Sequence, residues 1–402
     1  MKLTLLLDLD DTLLETNMDA FIPGYFKALA KALSKYVAPD AMLPALQGGT
    51  AAMMANLDPA LTLREVFDAY FFPKLGLDRP TLQAVIDNFY DEVFPGLGSL
   101  TKPIPEAVDL VDWAFAQDCR VAIATNPIFP RKAIEHRLRW AGLPPEKYPF
   151  ALVSSYEHFH FAKEAVAYYP EVMAQLGWPE DPIVMVGDDY AREVKPVQSA
   201  GLSIYWVRKD GEYSADLAHV PQGTLAGFRD WLAKADTQAL HHSLDASSAV
   251  IACLRSTPAA LATMMGAVAA DAWVQPPQAG EWCLTEILCH LRDTEREVHL
   301  PRLKKILAEI NPFIAAEETD RWAAERNYAA QDGPRALADF LSTRKETLAL
   351  LESLHDEWTR PARHSIFGPT TLRELAVIIA EHDQVHVQQV WKTIRAVAGD
   401  GR

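Results

Sequence analysis

LTLLLDLDDTL, residues 3–13, opens on a short apolar run and then turns acidic. Such a run, bounded by polar residues, is how a strand covered on both faces of a parallel sheet reads. Two carboxylates, Asp8 and Asp10, follow it at a spacing of two, with Thr12 behind them. Carboxylates just beyond a buried run are poor packing material, so they serve either as a solvated helix cap or as chemistry. Similar runs recur at 120–125 (RVAIAT), 151–154 (ALVS), 183–187 (IVMVG) and 203–207 (SIYWV), with helical stretches such as 131–142 and 163–177 between them. The alternation predicts an α/β fold with an open, Rossmann-like parallel sheet, whose sites lie at the carboxyl ends of the strands. Four of those ends carry Asp8/Asp10, Thr125/Asn126, Ser154/Ser155 and Asp188/Asp189.

From 16 to 100 the alternation gives way to helical patterns alone, for example 25–36, 63–72 and 81–93. An all-helical insertion directly after the first strand predicts a lid over the strand ends. Within it, Gln47-Gly48-Gly49-Thr50 is expected to form a turn, and Phe67, Tyr70, Phe71 and Phe72 have the spacing of core residues. A helix at 224–235 closes the first domain, 1–235, and the polar, aperiodic stretch 236–246 is expected to be a linker. Beyond it, 248–270, 284–310, 334–355 and 371–397 read as amphipathic helices separated by Pro/Gly turns at 276–280, 311–312, 333–334 and 368–369. No strand alternation is evident there, which predicts an all-α four-helix bundle over 247–402.

With 38 Lys+Arg against 54 Asp+Glu, a net charge of −16 and no basic run, the chain is unsuited to broad nucleic-acid binding. The cysteines Cys119, Cys253, Cys283 and Cys289 have no CxxC spacing, so neither a disulfide framework nor a zinc ribbon is expected. Asp8 interrupts the N-terminal apolar run, and no stretch reads as a membrane span of ~20 apolar residues. A cytoplasmic protein with no membrane partner is the expectation.

Thr125 ends a second strand, Lys163 is expected to open a helix, and Gly187-Asp188-Asp189 ends a third strand with Glu193 five residues after Asp188. In this order the elements resemble the four motifs of the haloacid dehalogenase-like hydrolase superfamily over about 1–235, with 16–100 in the place of its helical cap. The resemblance implies roles. Asp8 would be the nucleophile that becomes an aspartyl-phosphate, and Asp10 the general acid and then base. Thr125 would hydrogen-bond the phosphoryl group and Lys163 neutralise charge around it. Mg²⁺ would be held by Asp8, the carbonyl of Asp10 and Asp188, with Asp189 and Glu193 supporting. Thr12 and Asn126 are candidates for substrate contact, and Arg131 for a weaker one. A second aspartate suits a phosphatase, which must protonate an alkoxide, over a dehalogenase, whose halide needs no acid. A phosphomutase would carry the same motifs.

His382 and His386 lie four apart in AEHDQVHVQQV, on one helix face, and His290 lies in GEWCLTEILCHLRDTE at 280–295. With FGPTTL at 367–372 these segments resemble the DinB-like/YfiT metal-binding four-helix-bundle superfamily over about 247–402. The resemblance implies that His290, His382 and His386 bind Zn²⁺ or Ni²⁺ with open positions left for water or substrate. Cys289, about 100° around the helix from His290, is not expected to ligate. Asp383 and Glu381 are expected to be solvated helix charges.

The leading expectation is a Mg²⁺-dependent phosphatase of a small phosphorylated metabolite fused to a metal-binding bundle. Two alternatives stand beside it. In one, the bundle performs metal-dependent thiol transfer or isomerisation and the first domain is secondary. In the other, the bundle only pairs with a second copy as a homodimer.

Overall fold

The computed structural model describes residues 2–209, 212 and 217–398. The chain divides into two compact units, Met1–Tyr169 with Pro179–His242, and Pro170–Trp178 with Ser243–Arg402.

The first unit begins with β1 (Thr4–Leu7), all four residues buried, and β2 (Leu14–Thr16). The helices α1 (Met18–Leu33), α2 (Pro39–Met54), α3 (Leu63–Leu75) and α4 (Arg79–Asn88) follow, and β3 (Thr101–Pro103) pairs antiparallel with β2, so a two-stranded ribbon carries the chain into and out of this insertion. Alternation then resumes with α5 (Pro105–Ala116), β4 (Arg120–Ile123), α6 (Arg131–Trp140), β5 (Leu152–Val153) and β6 (Ile183–Gly187); α7 (Tyr168–Gln175), between the last two in the chain, falls mostly in the second unit. The last elements are α8 (Lys195–Ser199), β7 (Ser203–Val207), β8 (Gln222–Gly223) and α9 (Phe228–Leu232).

Six strands form one parallel sheet in the order β5-β4-β1-β6-β7-β8. Leu7 of β1 is level with Ile123 of β4 on one side and Val186 of β6 on the other. Asp8, Thr125 and Asp188 therefore emerge within two residues of the same sheet edge. Because the chain departs from β1 to opposite sides, this edge is the topological switch point where such sheets bind ligands. Leu5, Leu6 and Leu7 are fully buried, and burial of each contributes roughly 1.5–3 kcal/mol to holding that edge.

The insertion is helical, as expected, with its own core of Phe21, Leu29, Phe71, Phe89 and Phe94. A capping box between Thr62 and Glu65 starts α3, and Gly76 at φ 66° ends it. The turn expected at Gln47–Thr50 is instead the interior of α2. A β-carbon at Gly48 or Gly49 would overlap the Tyr70 or Phe67 ring, so these glycines serve close helix approach. The helix expected at 163–177 starts only at Tyr168. Lys163 lies in the preceding loop, where its amide donates to the Asn126 side chain at 3.2 Å. The expected linker 236–246 is ordered against the first unit as far as His242, with Leu240 in the core and the His242 ring bonded to the Ala200 carbonyl at 3.0 Å.

The second unit is built on α10 (Ser247–Gly266), α11 (Leu284–Thr294) running through a π-helical turn, Glu295–His299, into α12 (Leu300–Ala308), then α14 (Gly333–Glu352) and α15 (Leu372–Ala398). A short α13 (Trp322–Glu325) precedes α14. The expectation of no strands fails: β9 (Phe313–Ile314), β10 (Pro361–His364) and β11 (Gly368–Thr371) form a small sheet, β10 and β11 as a hairpin turned by Gly368 at φ 74°. β10 does alternate in burial, but Pro-Ala-Arg-His and the Gly-Pro-Thr-Thr of β11 carry no large apolar side chains to reveal an alternation in sequence, and β9 has only two residues. α10 is also long and apolar enough to meet the criterion for a membrane span, contrary to expectation, yet 67% of that apolar window is buried inside the unit. All four cysteines are buried and free.

Candidate functional site

The first cluster gathers at the switch point. Asp8 is buried, and its carboxylate pairs with Nζ of Lys163, which also bonds Glu193 Oε1 at 2.6 Å. One oxygen each from Asp8, Asp188 and Glu193 lie within 4.8 Å of one another. Glu193 reaches the site because residue 187 is glycine, where a β-carbon would overlap its carboxylate. Trp206 Nε1 donates to the Asp188 carbonyl at 2.7 Å and steadies that strand end.

Electrostatics follow from the crowding. Burial and then the Asp8 charge raise the pKa values of Asp188 and Glu193 above the carboxylate range. Burial alone would lower Lys163, but the Asp8 and Glu193 carboxylates outweigh it and raise it. A hard cation with oxygen ligands would displace the protons these raised acids hold and meet three carboxylate donors. The donor set fits Mg²⁺.

The other predicted residues divide. The turn after Asp8 is tightened by Asp11, at φ 56°, whose side chain accepts from the Thr16 amide at 2.9 Å. Thr12 is fully buried, and its hydroxyl has no partner among the described residues. The Thr125 carbonyl accepts from Ser154 and Tyr168 hydroxyls, both at 2.7 Å, which locks the end of β4. Asn126 positions the lysine loop through its bond to the Lys163 amide. Asp189 is not brought to the cluster. Its carboxylate caps the following turn, accepting from the Ala191 and Arg192 amides at 2.8 Å and from the Arg192 guanidinium.

Arg137 is the residue the sequence reading missed. It is fully buried on α6, and its guanidinium pairs with the Asp10 carboxylate. A signal was present: in RKAIEHRLRW, Arg137 stands on the apolar face with Ile134 and Leu138. Arg131, singled out instead, is committed to Glu135 at 2.8 Å and the Val153 carbonyl at 3.2 Å.

The second cluster joins α11 to α15. His290 Nε2 and His382 Nε2 are 3.1 Å apart, and one nitrogen each of His290, His382 and His386 lie within 4.8 Å of one another. Burial lowers all three pKa values, His290 to about 3, so the imidazoles are neutral donors. His386 Nδ1 bonds Gln389 Oε1 at 2.9 Å, leaving Nε2 for a ligand. Nitrogen donors of this kind fit a borderline divalent ion. An open cleft of about 800 Å³ lined by Trp282, Asp320, His386 and Lys392 gives access from outside.

Behind the histidines, Arg344 is fully buried and bonds Glu295 at 2.9 Å through two nitrogens and Asp383 at 3.0 Å. Asp383 is thus part of a buried ion network and not a solvated charge. Glu381 is exposed, as expected. The Cys289 sulfur contacts Gln331 at 3.6 Å and does not join the cluster. A fourth ring, His299, packs 5.0 Å from His382. On a regular helix, nine residues would place it roughly 180° from His290; the extra residue of the π turn brings it to roughly 80°.

Residues 3–201 match the family described as haloacid dehalogenase-like hydrolase, and residues 254–390 the DinB superfamily. Similar solved structures include a 2-haloacid dehalogenase from Pseudomonas syringae pv. Tomato DC3000 (21% identity, 58% of this chain and 99% of that one, TM-score 0.41). A HAD phosphatase from Thermococcus onnurineus is 19% identical over 58% of this chain and 98% of that one, with a TM-score of 0.38. YfiT from Bacillus subtilis, described as a probable metal-dependent hydrolase with an unusual four-helix bundle topology, is 22% identical over 39% of this chain and 89% of that one, with a TM-score of 0.35. No curated protein matches.

Proposed function

We propose that this chain, a haloacid dehalogenase-like hydrolase domain joined to a DinB superfamily domain, hydrolyses a small phosphomonoester at Asp8 and holds a second, divalent metal at its histidines. The carrying observation is the buried carboxylate of Asp8 facing Lys163, Asp188 and Glu193, with Asp10 two residues on. Asp8, Asp188 and Glu193 would hold Mg²⁺, which when bound offsets the charge of the phosphate dianion.

In the first step a carboxylate oxygen of Asp8 forms a bond to phosphorus as the bond to the leaving oxygen breaks. Lys163 orients Asp8 through their ion pair. Asp10 gives its proton to the departing alkoxide, which requires the Arg137 pairing to loosen once the ester is bound. In the second step Asp10 takes a proton from water as that water attacks phosphorus, releasing inorganic phosphate and restoring Asp8. The test is phosphate release with Mg²⁺ from a panel of phosphomonoesters, wild type against Asp8→Asn. Release that survives in the variant would end the covalent reading.

In the bundle, His290, His382 and His386 would hold Zn²⁺ or Ni²⁺, which when bound acts as a Lewis acid. Gln389 orients His386, and the cleft beside it admits a small molecule. Metal analysis of wild type and His386→Ala is the check, and equal metal content in both would refute the assignment.

A further inference from the structure

The four cap helices leave a cavity of about 110 Å³ between them. That is not far below the ~150 Å³ of an apolar protein cavity that admits benzene. Its wall is apolar, with Leu29, Met53 and Phe71 from the cap. The polar groups that reach it are already matched. Arg79 holds Asp68 through two bonds of 2.5 Å, and the Tyr25 and Tyr90 hydroxyls bond each other at 2.9 Å. A polyhydroxylated or charged group placed there would lose its water without gaining partners.

One side of the cavity is the loop Ile128–Pro130, just beyond Asn126 at the end of β4. Phe129 links two places. It lines the cavity, and its ring centre lies 5.8 Å from the guanidinium of Arg137, the partner of Asp10. A leaving oxygen departs on the side of phosphorus where Asp10 donates its proton. Phe129 and Arg137 thus form a chain of contacts between the cavity and Asp10.

We propose that the cap cavity receives the leaving alcohol of the substrate, and that this alcohol is apolar, the size of one ring or a short alkyl chain. The proposal rests on the phosphomonoester reading of Asp8 and Asp10 and names the substrate class for that site.

The test uses the full chain with Mg²⁺ and a series of esters: methyl, propyl, butyl and benzyl phosphate against glycerol phosphate. The expected result is a kcat/KM that rises about fourfold per added methylene until the cavity is full, with glycerol phosphate no better than methyl phosphate. Thr50→Phe and, from another helix, Ile86→Trp fill the cavity, and each is expected to cut the benzyl-to-glycerol phosphate ratio at least tenfold. Benzyl alcohol binding to Asp8→Asn, read by saturation-transfer NMR, reports on the cavity without turnover, and Thr50→Phe added to Asp8→Asn should abolish it. Release without apolar preference, together with no alcohol binding, would overturn the cavity proposal and leave the phosphatase reading standing. No release from any ester, with benzyl alcohol still bound, would overturn the phosphatase reading and leave an apolar ligand site.

Discussion

The two polar clusters are buried to a similar degree and built on opposite electrostatics. At the sheet edge, three carboxylates converge on one lysine, and burial together with the Asp8 charge pushes the neighbouring acids toward protonation. In the bundle, three imidazoles converge with their charge already removed by burial, and the compensating ions, Arg344 with Glu295 and Asp383, stand one layer behind. The first site presents oxygen acids that a hard cation would deprotonate and bind. The second presents uncharged nitrogen donors in a fixed frame. The difference shows that burial works in either direction, raising acids and lowering bases, and that neighbouring charge decides what each site attracts.

The sharpest way to break this contrast is a pair of variants. Asp8→Asn is expected to lower phosphate release at least about a thousandfold while metal bound at the histidines stays at wild-type level. His382→Ala should do the reverse. If either variant removed both properties, two independent chemistries would be the wrong description.

Next in size is Arg344→Leu, which strands Glu295 and Asp383 as buried carboxylates. A stability loss of about 3–5 kcal/mol is expected for breaking such a pair from one side, measured as the denaturant midpoint of the bundle transition. A loss below about 1 kcal/mol would mean that water reaches the network.

Gln389→Leu tests the layer around the histidines more gently. It removes the bond that fixes the His386 tautomer, and metal affinity is expected to fall about 10–100-fold with the fold unchanged. Competition against a chromophoric chelator reads this directly, and an unchanged affinity would remove Gln389 from the account.

The smallest effect is on pH dependence, studied in chelator by calorimetry. Asp188 and Glu193 have folded pKa values raised to about 7 and about 8. Their contribution is complete below the unfolded pKa values of about 4 and is lost as pH rises through 7–8. His290 and His299 are lowered to about 3 and about 4. Their contribution is present above the unfolded value of about 6.5 and is lost as pH falls toward 4. The first unit should therefore melt lower at pH 8.5 than at pH 6, and the second lower at pH 5 than at pH 7. Transitions that moved together would contradict the electrostatic contrast.

How far each site could be read beforehand follows the same division. Asp8 and Asp188 were legible because each stands directly after an apolar run, and a parallel sheet brings such ends to one edge; Asp10 and Glu193 were legible through the family resemblance. His382 and His386 were legible because a four-residue spacing shares a helix face. Arg137 and Arg344 were missed although both lie on apolar faces, since their partners, Asp10 and the pair Glu295 and Asp383, are distant in sequence. His299 needed knowledge of a π turn, and Gly48-Gly49 suggested a bend where the packed Tyr70 and Phe67 rings demanded small residues inside a helix.

What the sequence determined by itself was local: strand and helix periods, a helical insertion after β1, and acidic or histidine groups at spacings that share an edge or a face. What only the tertiary structure decided was pairing. It sent Asp189 to a cap and not to the cluster, gave Asp10 an arginine, buried Asp383 against Arg344, and left a cavity among the cap helices. Period and spacing act over a few residues through backbone geometry, whereas ion partners and voids depend on which distant side chains packing brings together.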